Sequence, residues 1–186
     1  MPVWIWIVVA AAVVIFVAAM VIASRSRRNT DRLKERFGPE YDRTVSEAGD
    51  EKAAEKELVS RERKRDKLDI HPLTPAALDG YVIRWRAVQT AFVDHPSEAV
   101  AEADLLVTEV MRERGYPVDD FDRQAADISV DHPTIVENYR AAHDIQLAQQ
   151  RGDVGTEQQR QAFVHYRALF TKLLETKQDK SQEASA

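Results

Sequence analysis

The side chains best able to do chemistry are histidines and carboxylates. Histidine occurs at positions 71, 95, 132, 143 and 165, and His71, His95 and His132 each stand directly before proline. A residue before proline is held extended, so these three are expected in loops just outside helices. Two of them belong to the same tetrapeptide, Val93-Asp94-His95-Pro96 and Val130-Asp131-His132-Pro133. Carboxylate and neutral imidazole together suit zinc or manganese, so two such pairs meeting in space could serve a metal-dependent hydrolase. No close His-x-x-x-His or Glu-x-x-His spacing supports an ion, and capping of the following helix accounts for an Asp or the next Ser/Thr equally well. Both tetrapeptides lead to Arg-Gly after the same interval, at Gly115 and Gly152. An internal repeat would nevertheless align Leu106 with His143 and Val107 with Asp144, which a shared core does not tolerate. His143 is expected beside Tyr139 on an apolar face, as a hydrogen-bonded core histidine, and His165 on a polar face of the last helix.

Other catalytic patterns are missing. There is no Gly-x-Ser-x-Gly elbow and no glycine-rich phosphate loop, and Asp119, Asp120 and Asp122 lack the alternation of an EF-hand. The chain has no cysteine, which excludes disulfides, thiolate metal sites, a thiol nucleophile and palmitoylation. The expectation is a protein that is not an enzyme, with no catalytic residue and no cofactor. The segment that stands out instead comprises Gly115, Tyr116, Pro117, Asp119, Asp120 and Phe121. Aromatic rings beside carboxylates on a connection between helices resemble the anchor and rim of a binding surface. In that reading Tyr116 and Phe121 anchor a protein partner, while Asp119 and Asp120 steer a basic one. The competing arrangement turns the rings back as a plug for the end of the bundle and leaves the acids to favour a short helix's N-terminus. Phe121 leans toward the plug. Tyr116 leans toward the partner, because a phenol can keep its hydroxyl in water.

These residues need elements to hold them. Residues 3–23 are uninterruptedly apolar, and at about 1.5 Å per residue such a helix matches a bilayer core of about 30 Å. No basic side chain precedes the run, and it is longer than the apolar stretch of a cleaved signal. Residues 1–24 are therefore expected to form a single-pass anchor, with Trp4 and Trp6 at its outer edge. Arg25, Arg27 and Arg28 follow at once, which places the N-terminus outside and the remainder in the cytoplasm. The same three arginines are candidate contacts for anionic headgroups. Residues 25–73 read as a basic juxtamembrane segment and a charged helical spacer. Leu33, Phe37, Tyr41 and Val45 recur every four residues, Gly38-Pro39 forces a bend, and a second short helix ends near Gly49. Beyond it only Ala54, Leu58 and Leu68 form a thin stripe. The cations of residues 61–67 are diluted by Glu62 and Asp66, so a nucleic-acid partner is not expected.

Residues 74–176 carry the core. Thr74 before Pro75 caps a helix whose Leu78, Tyr81, Val82, Trp85, Val88 and Phe92 share a face. Ala99, Val100, Ala103, Leu106, Val107, Val110 and Met111 form the clearest stripe, closed at Gly115. A capping box is expected at Thr134-Ile135-Val136-Glu137, and a last helix from the cap Thr156 through Phe163, Tyr166, Phe170, Leu173 and Leu174. Such faces need one another, which predicts an all-α chain whose core is a compact bundle of about four helices. A polar, disordered tail at 177–186 is expected to follow.

The segments Arg36-Phe37-Gly38-Pro39-Glu40-Tyr41-Asp42-Arg43 and Val110-Met111-Arg112-Glu113-Arg114-Gly115-Tyr116-Pro117-Val118-Asp119-Asp120, with the Val-Asp-His-Pro that follows, resemble a family of uncharacterised bacterial single-pass membrane-anchored proteins. The resemblance covers most of the chain after the anchor. It implies a bacterial plasma membrane and carries no activity or site residues with it. The functional expectation is a membrane-tethered helical adaptor or scaffold with a protein partner and no small-molecule substrate. The alternatives are the metal-dependent hydrolase and a peripheral anionic-lipid sensor. If the stripes do depend on one another, a fragment of residues 74–176 will be helical and melt cooperatively without detergent, as read by circular dichroism. A non-cooperative melt would remove the bundle.

Overall fold

Three- and four-residue apolar spacing along the chain becomes helix throughout. The computed structural model describes residues 16, 20, 24, 25, 27–152 and 154–175, and every regular element among them is helical. They are α1 (27–37), α2 (Pro39–Ala48), α3 (Glu51–Arg65), α4 (Pro75–Ala91), α5 (Pro96–Glu113), α6 (Phe121–Asp131), α7 (Val136–Gln150) and α8 (Thr156–Leu174). Among the described residues no helix is long and apolar enough to cross a membrane. The expected anchor at 1–24 lies outside the described residues apart from Phe16, Met20 and Ser24, and the expected tail at 177–186 lies outside them entirely.

The chain divides into two compact units, Met1–Leu58 and Val59–Ala186. In the first, the bend expected at Gly38-Pro39 is present. Gly38 adopts φ 47°, and α2 ends on Gly49 at φ 66°, whose N–H donates to the Val45 carbonyl. Of the thin stripe expected on the charged spacer, Ala54 and Leu58 are buried, and so are Leu33, Phe37 and Tyr41 on the short helices before it. The four-residue spacings on α1, α2 and α3 each give a narrow stripe, and two glycine bends let three narrow stripes make one small core. The Tyr41 hydroxyl donates to Glu51 Oε1 at 2.9 Å, and the Lys34 ammonium lies 5.1 Å from the ring centre. Burial, together with the Glu51 and Glu55 carboxylates, holds the Tyr41 phenol above its usual range.

In the second unit α5 occupies the middle, packed against α4, α7 and α8. It buries the whole predicted stripe from Ala99 to Met111. Helix α4 joins α8 through an aromatic stack, with the Trp85 ring centre 4.5 Å from Phe170 and 5.3 Å from Phe163. Thr74 caps α4 as predicted, its side chain accepting from Ala77 N–H at 3.2 Å. The capping box at Thr134 does not form. Ile135 is the cap instead, and the Ile135 and Val136 amides turn back onto the His132 carbonyl. Thr156 is the first residue of α8 rather than its cap; the Gly155 N–H in front of it donates to Gln158 Oε1 at 3.0 Å. Helix α6 brings the bundle to five helices.

This unit also begins earlier than residue 74. The His71 N–H donates to the Arg114 carbonyl at 3.0 Å, and Leu73 belongs to the core. Polar character hid that segment, because its contribution is a backbone contact together with Leu73 and the partly buried Ile70 rather than a stripe. Since the stack on Trp85 ties α4 to α8, Trp85→Ala should destabilise the protein by about 3–5 kcal/mol in urea denaturation. A loss below about 1 kcal/mol would mean the ring is not structural.

Candidate functional site: the α5–α6 loop and the cluster beneath it

Helix α5 ends in a Schellman turn: the Gly115 N–H donates to the Arg112 carbonyl at 3.0 Å and the Tyr116 N–H to the Met111 carbonyl at 3.0 Å. Gly115 has φ 93°, and a Cβ there would lie 2.2 Å from the Asp69 carbonyl oxygen. No other residue fits both the left-handed conformation and that close approach.

The turn aims Tyr116 inward. Its ring is only 3% exposed, and its hydroxyl donates to Asp131 Oδ2 at 2.7 Å. The same carboxylate accepts from Arg65 Nε, 2.8 Å from each oxygen, so the end of α3, the loop and the end of α6 meet at one anion. Burial and the Asp131 carboxylate raise the Tyr116 phenol above its usual range, which keeps it a proton donor at any physiological pH. Arg114 lies over the other side, 6.0 Å from the ring centre, and donates to the Leu173 carbonyl at 2.7 Å. The expectation of a displayed Tyr116 is thereby corrected: its hydroxyl is satisfied by the half-buried Asp131 carboxylate rather than by water.

Phe121 also turns back. It stacks on His143 with ring centres 3.6 Å apart and planes at 9°, and it lies 4.8 Å from Tyr139. His143 is held by that stack, and its buried Nδ1 accepts or donates no hydrogen bond among the described residues. Pro117 is half-buried, while Asp119 and Asp120 are exposed. Asp120 caps α6, accepting from the Arg123 N–H at 2.9 Å. Asp119 lies 4.0 Å from the Arg123 guanidinium with most of its side chain in solvent. Of the predicted binding loop, then, the acids face outward and the rings face inward.

Further polar groups join the helices inside. Tyr139 donates to Gln124 Oε1 at 2.6 Å, Tyr166 to Gln146 Oε1 at 3.2 Å, and Gln146 to Asp104 Oδ2 at 3.1 Å. Burial, with Asp104 nearby, pushes both phenols up. Asp127 is 4% exposed and its Oδ2 accepts no hydrogen bond among the described residues. Burial raises its pKa, opposed by Arg123, Lys64 and Arg61. A carboxyl whose folded value lies above its unfolded one stabilises below the unfolded range and loses that contribution as pH rises through the folded value. Asp127 is therefore a cost at neutral pH.

The two Asp-His pairs occupy different surroundings. Asp94 and His95 are exposed at the α4–α5 turn, whereas Asp131 is engaged by Arg65 and Tyr116 and His132 is buried at the end of α6. Among the described residues no three His, Asp or Glu side chains are grouped to hold a metal ion. His165 Nδ1 lies 2.8 Å from Asn138 Oδ1. Arg25, Arg27 and Arg28 are exposed, and Ser24, Arg25 and Arg28 border a groove of about 280 Å³ with Met20.

No protein-family model, curated protein or solved structure matches this chain.

Sequence reasoning missed the Arg65–Asp131 pair, because 66 positions separate its members and neither lies in a pattern. It also missed a groove between α4 and α5, although Ile83 and Leu105, apolar residues off the buried stripes, signalled that face. With the Tyr116 hydroxyl bound to a charged acceptor, Tyr116→Phe should lower stability by about 1.5–3 kcal/mol with helix content unchanged. A loss under about 0.5 kcal/mol would show that water replaces the phenol without penalty.

Proposed function

We propose that the chain is a membrane-tethered helical interaction module, an adaptor or scaffold that presents its bundle to a protein partner at the cytoplasmic face of a bacterial plasma membrane. The observation that carries this reading is the apolar run at 3–23 followed at once by Arg25, Arg27 and Arg28, in a chain whose remainder is a helical bundle. A run of that length suits a bilayer core, and the positive-inside bias sets the N-terminus outside. The resemblance of the RFGPEYDR and VMRERGYPVDD segments to membrane-anchored bacterial proteins points the same way.

Tyr139, Tyr166, Gln124, Gln146 and Asp131 are engaged in joining helices, which suits a scaffold better than a reaction centre. A metal-dependent hydrolase built on the Asp-His pairs would need Asp131 released from Arg65 and Tyr116. In the α5–α6 loop, Asp119 and Asp120 are what remains available to steer a basic partner. Anionic-lipid contact by Arg25, Arg27 and Arg28 is a second reading, supported by their exposure. Each is worth about 1 kcal/mol at a charged surface.

Full-length protein carrying a C-terminal reporter should stay in the membrane fraction after alkaline carbonate washing. Its reporter should be active only in the cytoplasm. Release by carbonate, or an externally active reporter, would overturn the tether or its orientation.

A further inference from the structure

Helices α4 and α5 form a hairpin whose inner side faces the bundle and whose outer side carries a groove of about 390 Å³. Its floor is made of small residues, with Val88 and Ala99 buried and Ala87 and Ala91 open to solvent. Small side chains there allow another backbone to approach closely, as they do wherever helices pack tightly. Two large apolar side chains on the same helices are left outside: Ile83 is 66% exposed one turn before Ala87, and Leu105 is 55% exposed one turn beyond Glu102. Val93, at the turn between the helices, is 82% exposed. Exposed apolar side chains gathered on one helical hairpin and rimmed by charge suit a surface that meets another protein.

The rim states the sign of the occupant. Glu98 and Glu102 form the α5 wall, both exposed and one turn apart. Arg84, the cation on the α4 wall, is held by the Glu109 carboxylate, which it pulls below the usual carboxylate range. The helix N-terminus favours an acid at Glu98 unaided, but that effect fades within the first turn and does not account for Glu102. The groove, which His95 also lines, therefore offers a floor of small apolar residues and two exposed carboxylates that form no ion pair among the described residues, Arg84 acting on Glu102 only through space.

We propose that this groove docks an amphipathic helix of a partner protein, one that lays small or aliphatic residues at i, i+4 and i+7 on the alanine floor and places lysine or arginine against Glu98 and Glu102. This mode of recognition uses the apolar face for affinity and the flanking charges for register. The inference rests on the interaction-module reading and adds to it the surface and the chemistry of the partner.

The test uses full-length protein in a non-ionic detergent and two fluorescent synthetic helices of about 18 residues, or five turns. Both carry a leucine-alanine face; one is flanked by lysine and its match by glutamate. Fluorescence anisotropy should show saturable binding of the lysine helix, weakened about tenfold at high salt, and little binding of the glutamate helix. The double variant Glu98→Lys/Glu102→Lys should reverse that preference. Ala91→Trp, at an exposed position and checked for an unchanged thermal midpoint, should abolish binding of both. Equal binding of the two helices, no binding of either, or binding insensitive to Ala91→Trp would overturn the proposal. So would a concentration-dependent dimer that Ala91→Trp dissolves, because a second copy would then be the occupant. Failure here leaves the membrane-tethered module intact, whereas carbonate release of the protein leaves the groove intact.

Discussion

Helix α5 places Ala99, Val100, Ala103, Leu106, Val107, Val110 and Met111 in the interior. Burial of each large aliphatic side chain is worth roughly 1.5–3 kcal/mol relative to water, so a helix with so broad an apolar face has no stable existence until other helices cover it. That requirement organises the second unit. Helices α4, α7 and α8 are the covers, and each brings the apolar face that α5 lacks a partner for. The aromatic stack of Trp85 on Phe163 and Phe170 ties two of these covers, α4 and α8, directly to each other.

Where α5 stops, a second constraint takes over. Gly115 lets the backbone turn within contact of the Asp69 carbonyl. That turn drives Tyr116 down onto Asp131, where Arg65 supplies the opposite charge. A half-buried ion pair of this kind is expensive to break, because removing one member leaves the other desolvated. The cluster thus fixes three chain segments together at the cost of removing Tyr116 from the surface. The loop keeps its acids outside because Asp120 is needed at the α6 N-terminus and Asp119 lies beside Arg123.

The interior is not uniformly apolar. The Asp104–Gln146–Tyr166 and Gln124–Tyr139 bonds run between α5, α6, α7 and α8. Such bonds add modest net stability, yet they penalise any sliding of one helix past another, since a shifted register would leave buried polar atoms unpaired. Asp127 lies outside this economy: its buried oxygen makes no hydrogen bond among the described residues, and burial disfavours its charge.

The sequence by itself determined the helices. Apolar residues at three- and four-residue intervals leave no other periodic structure that buries them, and Thr74-Pro75, Gly38-Pro39, Gly49 and Gly115 marked starts and stops through local backbone chemistry alone. The stripe of α5 was legible residue by residue for the same reason. Tertiary structure decided what local chemistry does not encode. Leu33, Phe37, Tyr41, Ala54 and Leu58 looked like thin stripes on a spacer, and only their convergence after two bends makes them a core. Tyr116 could serve water or a carboxylate equally well in sequence. Its place was settled by Asp131 and Arg65, partners 15 and 66 positions away from their respective mates. Which side of the α4–α5 hairpin stays open was likewise decided by where α8 packs. Periodicity specifies that a helix has an apolar face, whereas only the arrangement of the other helices specifies which part of that face is left uncovered.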